Sequence, residues 1–190
     1  MEQNQTEFEQ VQRPVVYLAS PFGFSDSAKK FILPRLSEKL EAVGVEVYEP
    51  FERAQQSGLG PQSGTDLWAL DLAHANVNKI KSVDAIFAVL NGSPPDEGVA
   101  VEIGVAIALG KPTFIFRDDW RNSADNNLFP CNLMLYGGLP RKGWEAYIYN
   151  SIDEISDPEK ALVPWVSLKL GGHLRTGTKE NPIEMANEDV

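Results

Sequence analysis

The sequence is short of the residues that staple or metallate small proteins. Cys131 is its one cysteine, and His74 and His173 are its two histidines. One cysteine builds no disulfide framework, and the set is too small for a Cys/His zinc site. Basic residues are scarce as well: 17 Lys and Arg face 27 Asp and Glu, a formal net charge of -10. That balance argues against nucleic acid or an anionic membrane as partner and leaves a small neutral ligand open. No apolar run reaches the about 18 residues of a membrane span, and no signal-peptide pattern opens the sequence. The expectation is a soluble, cytoplasmic protein. A phosphate-binding loop is missing too: GLGPQSG at 58–64 is not GxGxxG after a strand, and GxxxxGK[ST] does not occur. No Ser-His pair stands out, and His74 reads as a solvated helix residue.

What is present suits a globular α/β chain. With 190 residues and 43% apolar content, one domain with a sizeable core is expected. It should span 14–170, between a flexible N-terminus (1–13) and a polar, flexible tail (171–190). Short apolar runs at 15–19, 45–48, 84–90 and 113–116 read as strands, the first without alternation, as in a buried parallel strand. A fifth strand is expected at 145–149. Between them lie helical stretches: from Ser25 or Asp26 to about Val43, with Pro34 as a kink or a later start, and from a Thr65 or Asp66 cap to about Ile80. A further helix is expected over 152–166, interrupted at Pro158 and Pro164. Residues 49–64 and the polar run after Arg117 read as mobile loops, the former as a lid or a partly ordered substrate loop. Strand, helix, strand at this spacing gives βαβ units, hence a compact sandwich around a largely parallel sheet.

The segment 84–110 concentrates the chemistry. VAVEIGVAIALG is apolar on every face except at Glu102, and a helix apolar all round should be buried. A carboxylate there costs several kcal/mol unless it is paired, hydrogen-bonded or neutralised. Either it meets a Lys or Arg, or it performs chemistry. Asp96, six residues earlier, reads as an N-cap or as a second carboxylate facing the same strand end. Two nearby carboxylates suit sugar chemistry: one attacks or stabilises an oxocarbenium-like centre, the other binds hydroxyls or manages a proton. Tyr17, Phe22 and Phe24 surround the end of the first strand, as core or as a stacking wall for a flat ring. Asn132 and Met134 read as a turn and core pair.

YLASPF at 17–22, NVNKIKSVDAIFAVLNG at 76–92 and DEGVAVEIGVAIALGKP at 96–112, with a weaker CNLM at 131–134, resemble the nucleoside 2-deoxyribosyltransferases. The resemblance covers the chain up to about residue 149. It implies a flavodoxin-like three-layer sandwich with a central, mostly parallel five-stranded sheet. The implied activity moves 2-deoxyribose between nucleobases with neither cofactor nor metal, in homo-oligomers whose sites borrow residues from a neighbour. By position, Glu102 matches the nucleophile that attacks C1′, Asp96 the carboxylate on the sugar hydroxyls, and Tyr17 the tyrosine that orients the nucleophile. Phe22 matches a residue lining the base pocket. Asn132 matches an asparagine lent by the adjacent subunit to the 5′-OH, with Met134 beside it.

Two departures bear on the base. Ser20 replaces the glycine of YLAGP, adding a hydroxymethyl that hydrogen-bonds the base or narrows its pocket. The family's base-handling aspartate falls on Asn76, which binds a base edge but is no acid. Asp71, Asp66, water or a group around the nucleophile is then the proton source for the leaving base. Two other readings stand beside base exchange: an N-glycoside hydrolase acting on deoxynucleosides or their 5′-monophosphates, and a non-catalytic nucleoside-binding module on the same scaffold.

Overall fold

A computed structural model describes residues 12–64 and 66–171. Five strands form its sheet: β1 (Val15–Ala19), β2 (Glu46–Tyr48), β3 (Ala85–Val89), β4 (Thr113–Phe116) and β5 (Ile148–Tyr149). Their order is β2-β1-β3-β4-β5, and every neighbouring pair is parallel. The helices are α1 (Asp26–Phe31), α2 (Leu33–Val43), α3 (Pro50–Ser57), α4 (Trp68–Ser82), α5 (Glu97–Ala108) and α6 (Leu162–Lys169).

Side-chain alternation along the strands feeds two cores. Val16, Leu18, Phe87, Val89, Phe114 and Phe116 pack on one face against Leu33, Leu36 and Leu40 of α2 and Leu162, Trp165 and Val166 of α6. Tyr17, Ala19, Ile86, Ala88 and Ile115 point to the other face, against Ile80 of α4 and Val99, Ile103 and Ala106 of α5. Burial on both faces explains why these strands read as unbroken apolar runs. The result is a flavodoxin-like three-layer sandwich, as its strand order requires. In such sheets the chain leaves β1 toward one edge and returns to β3 on the other side, which opens a crevice at the carboxyl ends of β1 and β3.

Several boundaries differ from the sequence reading. Residues 49–64 are not a structureless lid, because they contain α3. The carboxylate of Glu49 accepts hydrogen bonds from the backbone N–H groups of Phe51 (3.1 Å) and Glu52 (2.7 Å). Pro50 opens the helix and Gly58, at φ 69°, closes it. A glutamate here does the capping normally sought from Ser, Thr, Asp or Asn, so the start was easy to miss. Pro34 does mark a helix start, lying in the first turn of α2, where a missing N–H costs nothing. Asp66 does not cap α4, which begins at Trp68 after Leu67 without a side-chain cap. Thr65 lies outside the described residues, as do residues 1–11 and 172–190. The expected fifth strand shrinks to Ile148–Tyr149, because Trp144–Tyr147 forms a 3-10 turn. The helix expected over 152–166 divides into a 3-10 turn, Ile152–Ser156, and α6. Pro158 falls between them, whereas Pro164 sits in the first turn of α6 and interrupts nothing. The start of the segment after Arg117 is pinned. Asn91 donates to Asp118 (2.5 Å), Gly92 N–H donates to Asp119 (3.0 Å), and the buried Arg117 guanidinium donates to the carbonyls of Leu90, Gly92 and Arg121. These bonds tie the loop leading to Asp96 onto the end of β4. No described helix is long and apolar enough to cross a membrane.

Candidate active site

A cleft of about 220 Å³ is lined by residues from the turn after β1, from α3, from α4 and from the start of α5. The α5 wall carries both sequence-selected carboxylates, Asp96 and Glu102, with Gly98 and Val99. Asp96 is indeed the N-cap of α5: its Oδ1 accepts from Val99 N–H at 3.0 Å. One oxygen holds the helix and the other, without a hydrogen bond among the described residues, is left for a ligand. Capping and ligand binding are therefore compatible roles for this side chain.

Glu102 has no basic partner among the described residues. Its Oε1 instead accepts a 2.5 Å hydrogen bond from the hydroxyl of Tyr17, reaching across from β1. Tyr17 is fully buried behind the cleft, so the bond fixes the carboxylate from the protein side. Oε2 has no hydrogen bond among the described residues. Burial pushes the Glu102 carboxyl up to about 7; the Tyr17 hydroxyl opposes the rise, while the negative charges of Asp96 and Glu49 add to it. Burial and the adjacent carboxylate hold the Tyr17 phenol well above its ordinary value, so it stays a donor. A partly dehydrated carboxylate, held at one oxygen and open at the other, is built to attack an electrophilic carbon or to move a proton.

The remaining walls are apolar: Phe24 on the turn after β1, Pro50, Phe51 and Ala54 on α3, and Leu72 on α4. Phe24 and Phe51 meet edge to face with ring centroids 4.8 Å apart, a surface suited to a flat ring. Gly23 makes that contact possible, since a Cβ there would stand 2.4 Å from Cγ of Phe51. Polar groups on these walls are few. Ser20 is buried and its Oγ caps the turn by accepting from Phe22 N–H at 3.1 Å. Asn76 lies four residues after Leu72 on the same face of α4, its amide free of hydrogen bonds among the described residues.

Not every predicted residue reaches the cleft. Phe22 turns instead to the core beside α2, because in the 3-10 turn Pro21–Phe24 residues two apart point in different directions. Its place is taken by Phe24 and by Phe51, which the sequence reading left inside a loop. Asp71 and Asp66 are exposed and line no part of the cleft, since Asp71 is a third of a turn away from Leu72 around α4. Asn132 and Met134 also lie outside it, both exposed. Asn132 caps the 3-10 turn Leu133–Tyr136 and donates to Asp125 at 3.1 Å. The sequence reading missed Glu49, a buried carboxylate at the end of β2, beside the strand that carries Tyr17. Burial raises its carboxyl above the ordinary value even though two backbone N–H groups oppose the rise. No described group of three or more His, Cys, Asp or Glu side chains is placed to hold a metal ion.

The model of the nucleoside 2-deoxyribosyltransferase family matches residues 16–134, a stretch that contains every wall of the cleft. The chain belongs to this family. A nucleoside deoxyribosyltransferase of Limosilactobacillus fermentum is 28% identical over 133 residues, 65% of this chain and 75% of that protein. Among solved structures, a 2-deoxyribosyltransferase of Leishmania mexicana superposes with a TM-score of 0.54 at 25% identity, over 74% of this chain and 92% of that one. The 2-deoxyribosyltransferase of Bacillus psychrosaccharolyticus shares the fold at TM-score 0.56 and 23% identity, over 75% of this chain and 90% of that one. In this nucleoside 2-deoxyribosyltransferase family member, the matched segment thus joins the turn after β1, α3, α4 and α5 around the half-buried Glu102.

Proposed function

We propose that the protein exchanges the nucleobase of 2′-deoxyribonucleosides by double displacement at C1′. The observation that carries this reading is the Glu102 carboxylate, half-buried in the lining of an aromatic-walled cleft, without a cation among the described residues and held by the Tyr17 hydroxyl. Oε2 of Glu102 attacks C1′ as the base departs, giving a deoxyribosyl ester. A second base enters the same cleft, displaces the glutamate and restores the original configuration. Asp96 holds the sugar hydroxyls with its uncommitted oxygen. The base lies between the Phe24–Phe51 pair and Leu72, beside Asn76.

The active assembly is a homo-oligomer. The helix α5 supports this: apolar all round, it leaves Val101 62% exposed and Leu109 45% exposed. Leu133 and Met134, exposed on the 3-10 turn packed beside α5, add apolar surface that a second copy would cover. Asn132 and Met134, remote from their own cleft, then complete the neighbour's site at the 5′-OH.

Incubation with 2′-deoxyinosine or thymidine, with and without adenine, tests the reaction. The expected result is 2′-deoxyadenosine formed in the presence of adenine and absent with Glu102→Ala. Free base accumulating at one rate whether adenine is added or not would replace exchange by hydrolysis.

A further inference from the structure

The described lining of the cleft contains no evident acid for the departing base. Asp96 and Glu102 are the titratable side chains among its described lining, and both belong to the α5 wall. Glu102 is engaged at C1′ and Asp96 with hydroxyls and the α5 N-terminus. On the α4 wall the polar side chain is Asn76; the nearby Asp66, Asp71 and His74 are all exposed and outside the lining. An amide donates and accepts hydrogen bonds but delivers no proton.

We infer that this protein expels the nucleobase without a protein acid and therefore selects 2′-deoxynucleosides whose base departs as a stabilised anion, with the Asn76 amide N–H donating to a base carbonyl. The inference rests on the base-exchange reading of the same cleft. In the first step the Glu102 oxygen bonds to C1′ as the C1′–N bond breaks. The electron pair stays on the base nitrogen, and the delocalised anion takes its proton from water after it leaves. In the return step an acceptor-base anion gives its pair to C1′, and the ester bond breaks with its pair returning to the carboxylate. Oxo bases such as hypoxanthine and uracil, which spread the charge over ring carbonyls, are the favoured class, and cytosine the disfavoured one.

The substrates 5-fluoro-2′-deoxyuridine, 2′-deoxyuridine and thymidine test this, because their bases differ at one ring position and fall in acidity in that order. Single-turnover base release at saturating substrate is measured for the wild-type protein and for Asn76→Asp, which is nearly isosteric on the half-buried face of α4. Wild-type rates should fall by about a hundredfold across the series, the scale on which an acid otherwise contributes. In Asn76→Asp the spread should shrink to less than about tenfold, with thymidine gaining most and the gain lost above the pKa of the new carboxyl. Equal wild-type rates on the three substrates, or a spread unchanged in Asn76→Asp, would overturn the inference and leave base exchange standing. Release of base from none of the three would overturn the exchange reading and this inference with it.

Discussion

Burial and one hydrogen bond together set the charge state of Glu102. In the proposed exchange Glu102 attacks only when ionised; burial lifts its carboxyl from 4.5 to about 7, so activity should fall as pH drops through about 7. The Tyr17 hydroxyl donates to the ionised form and is the main influence holding the value down. Asp96 on α5 and Glu49 at the end of β2 push the other way. Replacing Tyr17 by Phe keeps the buried ring and removes the donor. The acid limb of kcat/KM should then move to higher pH by about one unit, as loss of a hydrogen bond to a charged group demands. A pH–rate profile of Tyr17→Phe with its acid limb unmoved would separate the phenol from the charge on Glu102. At this scale the sequence was informative: a single carboxylate in an apolar helix is a costly anomaly, and Glu102 stood out for that reason. Glu49 did not, because its burial depends on how β2 lies beside β1, a relation that no local pattern encodes.

Helix α3 turns a surface connection into a cleft wall. Its first turn is held by the Glu49 carboxylate, and it presents Phe51 and Ala54 to the ligand space. Truncation by Glu49→Ala should cost about 1 kcal/mol, the usual loss for an N-cap. It should also raise KM more than it lowers kcat, since the aromatic wall loosens while Glu102 keeps its tyrosine. Denaturant titration together with steady-state kinetics reads both effects. A fall in kcat at constant KM would show instead that Glu49 acts on the chemical step through its charge. The strands were legible because their apolar patterns match burial on both faces; α5 was legible as a helix, but only its Val99, Ile103 and Ala106 side is buried, and the expected all-round burial is not met in the single chain. Helix α3, by contrast, combines an atypical cap with a polar exposed face, and the same sequence reads as loop. Phe22 and Phe24 show a related limit: both flank one strand end, and the 3-10 turn alone decides that Phe24 faces the ligand.

For the whole molecule, strand order fixes where the chemistry occurs. β1 supplies Tyr17 and the turn after it Ser20, the loop after β3 delivers Asp96 and α5, and the crossover between β2 and β3 contributes α3 and α4. A site spread over so much of the matched segment is readable from spacing only as separate pieces. The exposed apolar face of α5 gives the proposed homo-oligomer a test of its own. Val101→Asp, placed where the side chain is 62% exposed, should leave the fold intact, split the oligomer in analytical ultracentrifugation and lower base exchange by about tenfold or more, as expected when groups positioning the sugar are withdrawn. An undiminished rate in a monomeric variant would assign the complete site to one chain.

The central claim, that Glu102 becomes the carrier of the sugar, is tested most directly by mass analysis of protein mixed with a 2′-deoxynucleoside and quenched in acid within the first turnover. The account predicts one deoxyribosyl group on the peptide containing Glu102, discharged to new nucleoside when an acceptor base is added before the quench. Steady base exchange with that peptide unmodified at every time point would contradict it.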